Sequence, residues 1–243
     1  MKKGIVCFIL SGAFVSASAF AQGSSASDEI TDDRGTVCEV SAHGQVRCFG
    51  SNFEGRLGQS KNRTESIDRS ENIPWIDVGT SEPLRKLAIG NDHMCALFAS
   101  GIKCWGSNTS GLLGYGDTRT RGDHFYRTEE PRIPVGMRKD LPFVDLGTAA
   151  RVVDIAVDRW MSCALFETGL VKCWGDGWGD KPGEMGTNLP YVDTRTAAKP
   201  TGFVRIPSST PGEFSFALKF TAGPDKSIHL VNGRFIAFRL GSQ

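Results

Sequence analysis

The sequence predicts an all-β fold of short antiparallel strands, and three observations predict it. Glycine is abundant, at 29 of 243 residues. The apolar residues fall in short runs rather than at helical spacing, which favours strands joined by turns. A cysteine-flanked stretch, CALFASGIKCWGSNTSGLLGYGD at 95–117, recurs as CEVSAHGQVRCFGSNFEGRLGQS from Cys38 and as CALFETGLVKCWGDGWGDKPGEMG from Cys163.

The N-terminus precedes the repeats and is of another kind. MKKGIVCFILSGAFVSASAFAQ carries two lysines, an apolar stretch, and Ala19 and Ala21 before Gln22, the pattern of a secretory signal peptide over 1–21. Its apolar core is short for a bilayer, and no later segment approaches the roughly 18 apolar residues of a membrane helix. The expectation is an exported bacterial protein, periplasmic or extracellular, without membrane insertion. Residues 22–29 read as a flexible linker and 30–243 as one repeat domain. With 28 basic and 27 acidic residues, no charge excess favours nucleic acid as a partner.

Cys7 falls in the leader, so six cysteines remain for an oxidising compartment. They form pairs Cys38 and Cys48, Cys95 and Cys104, Cys163 and Cys173, separated by 10, 9 and 10 positions. A one-residue difference in the turn leaves the flanking strands in register, so all three pairs can occupy the same place in a hairpin. The hairpins lie near 36–50, 93–106 and 161–175. A fourth, near 226–239, has Ile228 and Ala237 where the cysteines belong and Phe238 in place of Trp. Joint loss is what bonded partners predict, so each pair reads as a cross-strand disulfide. No C-x-x-C or H-x-x-x-H spacing occurs, and His43, His93, His124 and His229 fall at different places in the repeat, so neither a metal site nor a redox motif is expected.

The repeat extends upstream of the hairpin. NIPWIDVGTSEPLRKLAIG precedes the second copy and DLPFVDLGTAARVVDIAVD the third, with PTGFVRIP and FSFALKFTAG as a degenerate version before the fourth. This spacing predicts strands near 73–79, 84–90, 93–99 and 101–106 in the second copy. Four strands recurring at this period are the mark of propeller blades. The predicted fold is therefore a β-propeller-like array of four-stranded blades. Counting two strands in the first copy and four in each of the others gives about three and a half to four blades, an open arc or incomplete propeller, or a small closed ring. Two chains pairing their open edges is a further alternative.

The pattern C-A-L-x-x-x-G-x-x-x-C-W-G-x-N-x-x-G-x-L-G resembles the repeats of the regulator of chromosome condensation family, and specifically its exported bacterial branch with paired cysteines. The resemblance covers about Ile30 to Phe238. It implies a β-propeller, usually of seven blades, that binds through loops and faces, with no catalytic centre. The residues carry physical roles of their own. Gly50, Gly106 and Gly175 end strands where a Cβ is not tolerated. Phe49, Trp105 and Trp174 are suited to packing between blades. Gly55 and Gly58, Gly111 and Gly114, and Gly183 and Gly186 mark a following loop, lengthened by three residues in the third copy, where it carries Trp178.

Positions that differ between copies are where a partner would be recognised. Two and three places before the first cysteine stand Gly35 and Thr36, Asp92 and His93, Trp160 and Met161, then Asp225 and Lys226. Trp160 is the strongest of these, as an aromatic on a loop. The insertion from Thr118 to Lys139 carries Phe125 and Tyr126 among five arginines, a mixture seen at interfaces. Within it Arg121, Gly122 and Asp123 spell an adhesion tripeptide, three common residues that recur by chance in polar loops. Asn62 and Asn108 begin glycosylation sequons. No nucleophile, base and orienting acid stand together, so no catalytic residue and no cofactor is expected. The function read from the sequence is an exported, non-enzymatic binding or scaffold protein with an unidentified protein partner. Alternatives are an inhibitor of an exported enzyme, like the secreted β-lactamase-inhibiting propellers, and a shortened member of the family without retained activity.

The cysteine pairing makes a direct prediction. Cys104→Ser should cost about 2–3 kcal/mol in denaturant unfolding and release Cys95 as a thiol that labels once the chain is unfolded. Destabilisation without a new Cys95 thiol would contradict the pairing.

Overall fold

A computed structural model describes residues 28–32, 35–58, 66–122, 137, 141–175, 181, 183–192, 199–207, 214–220 and 229–231. They form four consecutive antiparallel meanders with no α-helix among the described residues. The first sheet holds β1 (Asp28–Thr31), β2 (Val37–Val40), β3 (Val46–Ser51) and β4 (Ser66–Ile67). The second holds β5 (Lys86–Ile89), β6 (His93–Leu97) and β7 (Ile102–Gly106). The third holds β8 (Val152–Val157), β9 (Ser162–Phe166) and β10 (Val171–Trp174), and the fourth β11 (Pro200–Pro207), β12 (Phe214–Phe220) and β13 (His229–Val231).

The three cysteine hairpins share one register. Cys38 faces Cys48, Cys95 faces Cys104 and Cys163 faces Cys173, with Sγ–Sγ separations of 2.09, 2.09 and 1.93 Å. The turns take up the length difference. Ser41 N donates to Gln45 O and Phe166 N to Leu170 O, whereas Phe98 N reaches Gly101 O, one residue nearer.

The outer segments correct the expected strand order. Ile76 N donates to Val46 O at 2.6 Å, Val144 N to Ile102 O at 2.8 Å and Val192 N to Val171 O at 2.8 Å. Residues 73–79 therefore close the first sheet instead of opening the second, and 141–147 close the second. These edges make few ladder bonds because Pro74, Pro142 and Pro190 have no N–H to give. The third sheet is closed by Leu189-Pro190-Tyr191-Val192, an instance of the motif the sequence reading passed over. Lys86, Asp154 and Gly202 each stand twelve residues after the prolines Pro74, Pro142 and Pro190. PTGFVRIP is accordingly the innermost strand β11, not a degenerate outer one.

The outer aromatics also have a partner. The cation that precedes the second cysteine lies over the ring in each of the first three sheets, Arg47 over Trp75 at 4.7 Å, Lys103 over Phe143 at 4.6 Å and Lys172 over Tyr191 at 4.7 Å. Lys103 Nζ also donates to Val78 O and Leu141 O, both at 2.7 Å, and Lys172 Nζ to Leu146 O at 2.8 Å. A buried ammonium is tolerated there because carbonyls and a π face replace its water.

The first sheet has two strands beyond the expected pair. β1 starts at Asp28, inside the segment read as a linker, and β4 pairs with the end of β3 through Gly50↔Ile67. Three sheets thus have a fourth, outer strand or edge segment and the last has three described strands, in keeping with three and a half to four blades. Of the expected fourth hairpin only β13 falls among the described residues.

Neighbouring sheets are joined by the tryptophans. Trp105 Nε1 donates to Arg56 O and Trp174 Nε1 to Leu112 O, each at 3.0 Å and each reaching a loop of the preceding sheet. Those loops are closed by buried asparagines, with Leu57 N donating to Asn52 Oδ1 at 3.1 Å and Leu113 N to Asn108 Oδ1 at 2.8 Å. The indoles lie against glycine. A Cβ on Gly58 would come within 2.8 Å of Trp105 Nε1, and one on Gly114 within 2.6 Å of Trp174 Nε1. Around each joint one hydrophobic cluster spans two sheets.

The fourth sheet lacks this joint and is held differently. The Asp154 carboxylate on β8 pairs with Lys86 of β5 through one oxygen and accepts Phe203 N of β11 at 2.7 Å through the other. Leu218 adds an apolar contact to the third sheet. At the centre, Ile30, Ala88, Ala156 and Val204, one from each innermost strand, border a cavity of about 160 Å³.

Gly114 and Gly35 separate packing from backbone effects, with φ of +74° and +78°. Gly35→Ala meets no atom within 4 Å and should cost only the left-handed backbone penalty of about 1–2 kcal/mol. Gly114→Ala adds a clash with Trp174, worth about 1–3 kcal/mol more. Urea unfolding of the two variants measures the difference, and equal costs would contradict the joint.

Candidate interaction face

In each of the first three sheets the chain enters the second strand and leaves the third at the same end, so the described loops at those points gather on one face of the array. Three of them are joined by Arg56. Its guanidinium donates to Asn91 O and to Asp32 Oδ2, the latter at 3.0 Å, and both charged side chains are 2% exposed. Asp32 Oδ1 accepts Thr36 N at 2.8 Å, which shapes the loop between β1 and β2. A buried ion pair of this kind adds little net energy but is costly to break on one side. It sets the spacing of loops 32–36, 52–58 and 90–92.

The loop between β8 and β9 presents the main expected residue. Asp158 Oδ1 accepts the backbone N–H of both Trp160 and Met161 at 2.8 Å, and Asp158 N donates to Met161 O at 3.0 Å. The turn is thereby pinned from within. Trp160 is 50% exposed upon it, with the Arg159 guanidinium 4.7 Å from the ring. Phe53, on the short 3-10 turn Phe53–Gly55, is 53% exposed at the same end of the first sheet. The sequence reading missed it, although the signal was present: the position after the loop asparagine is Phe53 in one copy and Thr109 in the next.

Other expected sites are placed differently. Asp92 is half-buried and its carbonyl accepts Ser107 N at 2.8 Å. His93 is not a surface residue: it is fully buried, its Nε2 lies 2.7 Å from Ser162 Oγ, and burial pushes its imidazole down to about 3. It belongs to β6, which is covered on both faces by neighbouring sheets. Phe125, Tyr126 and Trp178 lie outside the described residues, as do Asp225, Lys226 and Asn62.

Local pairing bears on the adhesion tripeptide and on the second sequon. Arg121 is buried, forks onto Asp117 Oδ1 and Oδ2 at 3.0 and 2.9 Å, and lies 4.1 Å from the Tyr115 ring. The cation of the adhesion tripeptide is engaged within its own loop. Asn108 is buried as well, and its Nδ2 donates to Asp117 O at 2.8 Å, so its amide is part of the loop rather than a glycosylation acceptor. Among the described residues no group of three or more His, Cys, Asp and Glu side chains could hold a metal ion.

A family model described as the regulator of chromosome condensation (RCC1) repeat matches residues 84–112. In the structure that stretch is the second sheet from β5 to the loop that receives Trp174. Serine/threonine-protein kinase Nek9 of Xenopus laevis is 26% identical over 178 residues, 73% of this chain and 18% of its own length. The regulator of chromosome condensation of Homo sapiens is 31% identical over 116 residues, 46% of this chain and 24% of its own. The chain spans about a quarter or less of these curated relatives. The solved structure of Kap60 bound to yeast RCC1 (Prp20) matches with 13% identity and a TM-score of 0.45, covering 81% of this chain and 39% of that one.

Proposed function

We propose, from the premise that this chain is a protein of the regulator of chromosome condensation repeat family, that it is a non-enzymatic scaffold binding another protein through the loop face. The observation that carries the reading is Trp160, half exposed on a turn held by the Asp158 carboxylate, which accepts the Trp160 and Met161 N–H groups. A large ring held ready in one place loses little freedom on binding, which is why tryptophan and arginine dominate interface energetics. Arg159 lies beside it, and Phe53 is exposed at the corresponding end of the first sheet. An exported setting, periplasmic or extracellular, belongs to this proposal and is supported by three cysteine pairs at bonding distance.

The test is affinity capture by the immobilised chain from envelope and culture fluid, with wild type and Trp160→Ala run side by side. Removing a half-exposed side chain should leave unfolding within about 0.5 kcal/mol, whereas loss of an anchor weakens a partner by about 30-fold or more. A partner retained by the wild type and lost by Trp160→Ala supports the reading. Equal capture by both overturns the role of this face.

A further inference from the structure

His93 stands where the sister sheets have Thr36 and Met161, so the fold does not call for a titratable group there. Its contacts assign its proton. Ser162 Oγ lies 2.8 Å from Leu112 O and 2.7 Å from His93 Nε2. A carbonyl only accepts, so the hydroxyl donates to Leu112 O and Nε2–H donates to the hydroxyl. Nε2 therefore carries a proton, and burial keeps the imidazole neutral with that proton alone. Nδ1 is buried and has no hydrogen-bond partner.

This contact sits in the seam between the second and third sheets, just beneath the Trp160 turn. Leu112 O receives both Ser162 and Trp174 Nε1, and Ser162 follows Trp160 by two residues. The charged neighbours are already committed. Arg56, whose Cα packs with that of His93 around Gly106, is engaged by Asp32 and Asn91 O. Asp158, whose carbonyl meets Gly90, spends Oδ1 on the Trp160 and Met161 N–H groups, and Asp92 lies half-buried at the loop. Cys95 Sγ, 3.8 Å from Ser162 Oγ, is bonded to Cys104 and does not titrate. Among the described residues none makes an ion pair with the imidazole, so a second proton would stand on Nδ1 with no acceptor and no counter-charge.

We propose that the His93–Ser162 contact is an acid-released joint: protonation of His93 is incompatible with the closed seam, so falling pH opens the seam between the second and third sheets and displaces the Trp160 turn. Its consequence for partner binding rests on the function proposed above; the joint itself does not. The direction follows from the buried imidazole, which burial holds down to about 3 against its ordinary 6.5. Between those values the open form binds a proton that the closed form excludes. The open-to-closed ratio then rises about tenfold for each pH unit below 6.5, while above about pH 7.5 both forms are neutral and the ratio is constant.

The experiment uses the full chain and needs no partner. Wild type, His93→Gln, whose amide still donates to Ser162, and His93→Met, which copies Met161 of the third sheet, are followed from pH 7.5 to 4. Urea midpoints and the indole N–H resonances of Trp160 and Trp174 are recorded. The expected result is a loss of stability and a shift of both resonances in the wild type below pH 6.5, with a much flatter profile in either variant that folds. An acid profile shared by wild type and variants overturns the joint. So does a His93 ring that titrates near 6.5 in the folded wild type while the Trp160 and Trp174 resonances stay fixed.

Discussion

The array depends on an indole N–H handed from one sheet to a carbonyl of the sheet before it. Trp105 reaches Arg56 O and Trp174 reaches Leu112 O, and each ring lies on a glycine that leaves no room for a side chain. The bond satisfies a buried donor that would otherwise be costly, and it fixes where the large apolar body of the ring sits. The asparagines that close the receiving loops, Asn52 and Asn108, hold the acceptor carbonyl in place. Stacked repeats are stabilised largely by such nearest-neighbour terms.

Within a sheet the devices are different, and the division explains which loops are free to vary. Cysteines facing each other across the hairpin and a cation over the outer aromatic hold each of the first three meanders together. The loop face takes part through backbone carbonyls and through anchors such as Arg56, Asp32, Asn52, Asn108 and Asp158. Exposed side chains between those anchors, Trp160 and Phe53, can differ between copies without disturbing the joints. At the fourth sheet the cysteines and the tryptophan are absent together, and the Asp154 carboxylate reaching Phe203 N is the described polar contact that takes over.

Much of this was legible in the sequence, and what was not has physical causes. The hairpin register followed from cysteine spacing, and the packing role of Trp105 and Trp174 from their size and recurrence. Sequence order could not reveal that 73–79 pairs backwards with β3, because a segment between two strands can join either. Recognising Leu189-Pro190-Tyr191-Val192-Asp193 as a third copy of the outer motif would have settled it by spacing alone. His93 looked like a loop residue because its place varies between copies, but β6 is buried on both faces and the two-residue alternation of exposure disappears. Arg121, the first residue of the adhesion tripeptide, is placed by Asp117, four residues earlier, a pairing that its spacing alone permits without requiring.

The indole joint carries the array, and hydrogen exchange of the tryptophan side chains measures it directly. The Nε1–H groups of Trp105 and Trp174 are predicted to exchange only through opening of the sheets, orders of magnitude more slowly than that of Trp160. Exchange of Trp174 Nε1–H at the rate of the exposed Trp160 would show that the donor is not held by Leu112 O, and would contradict the account.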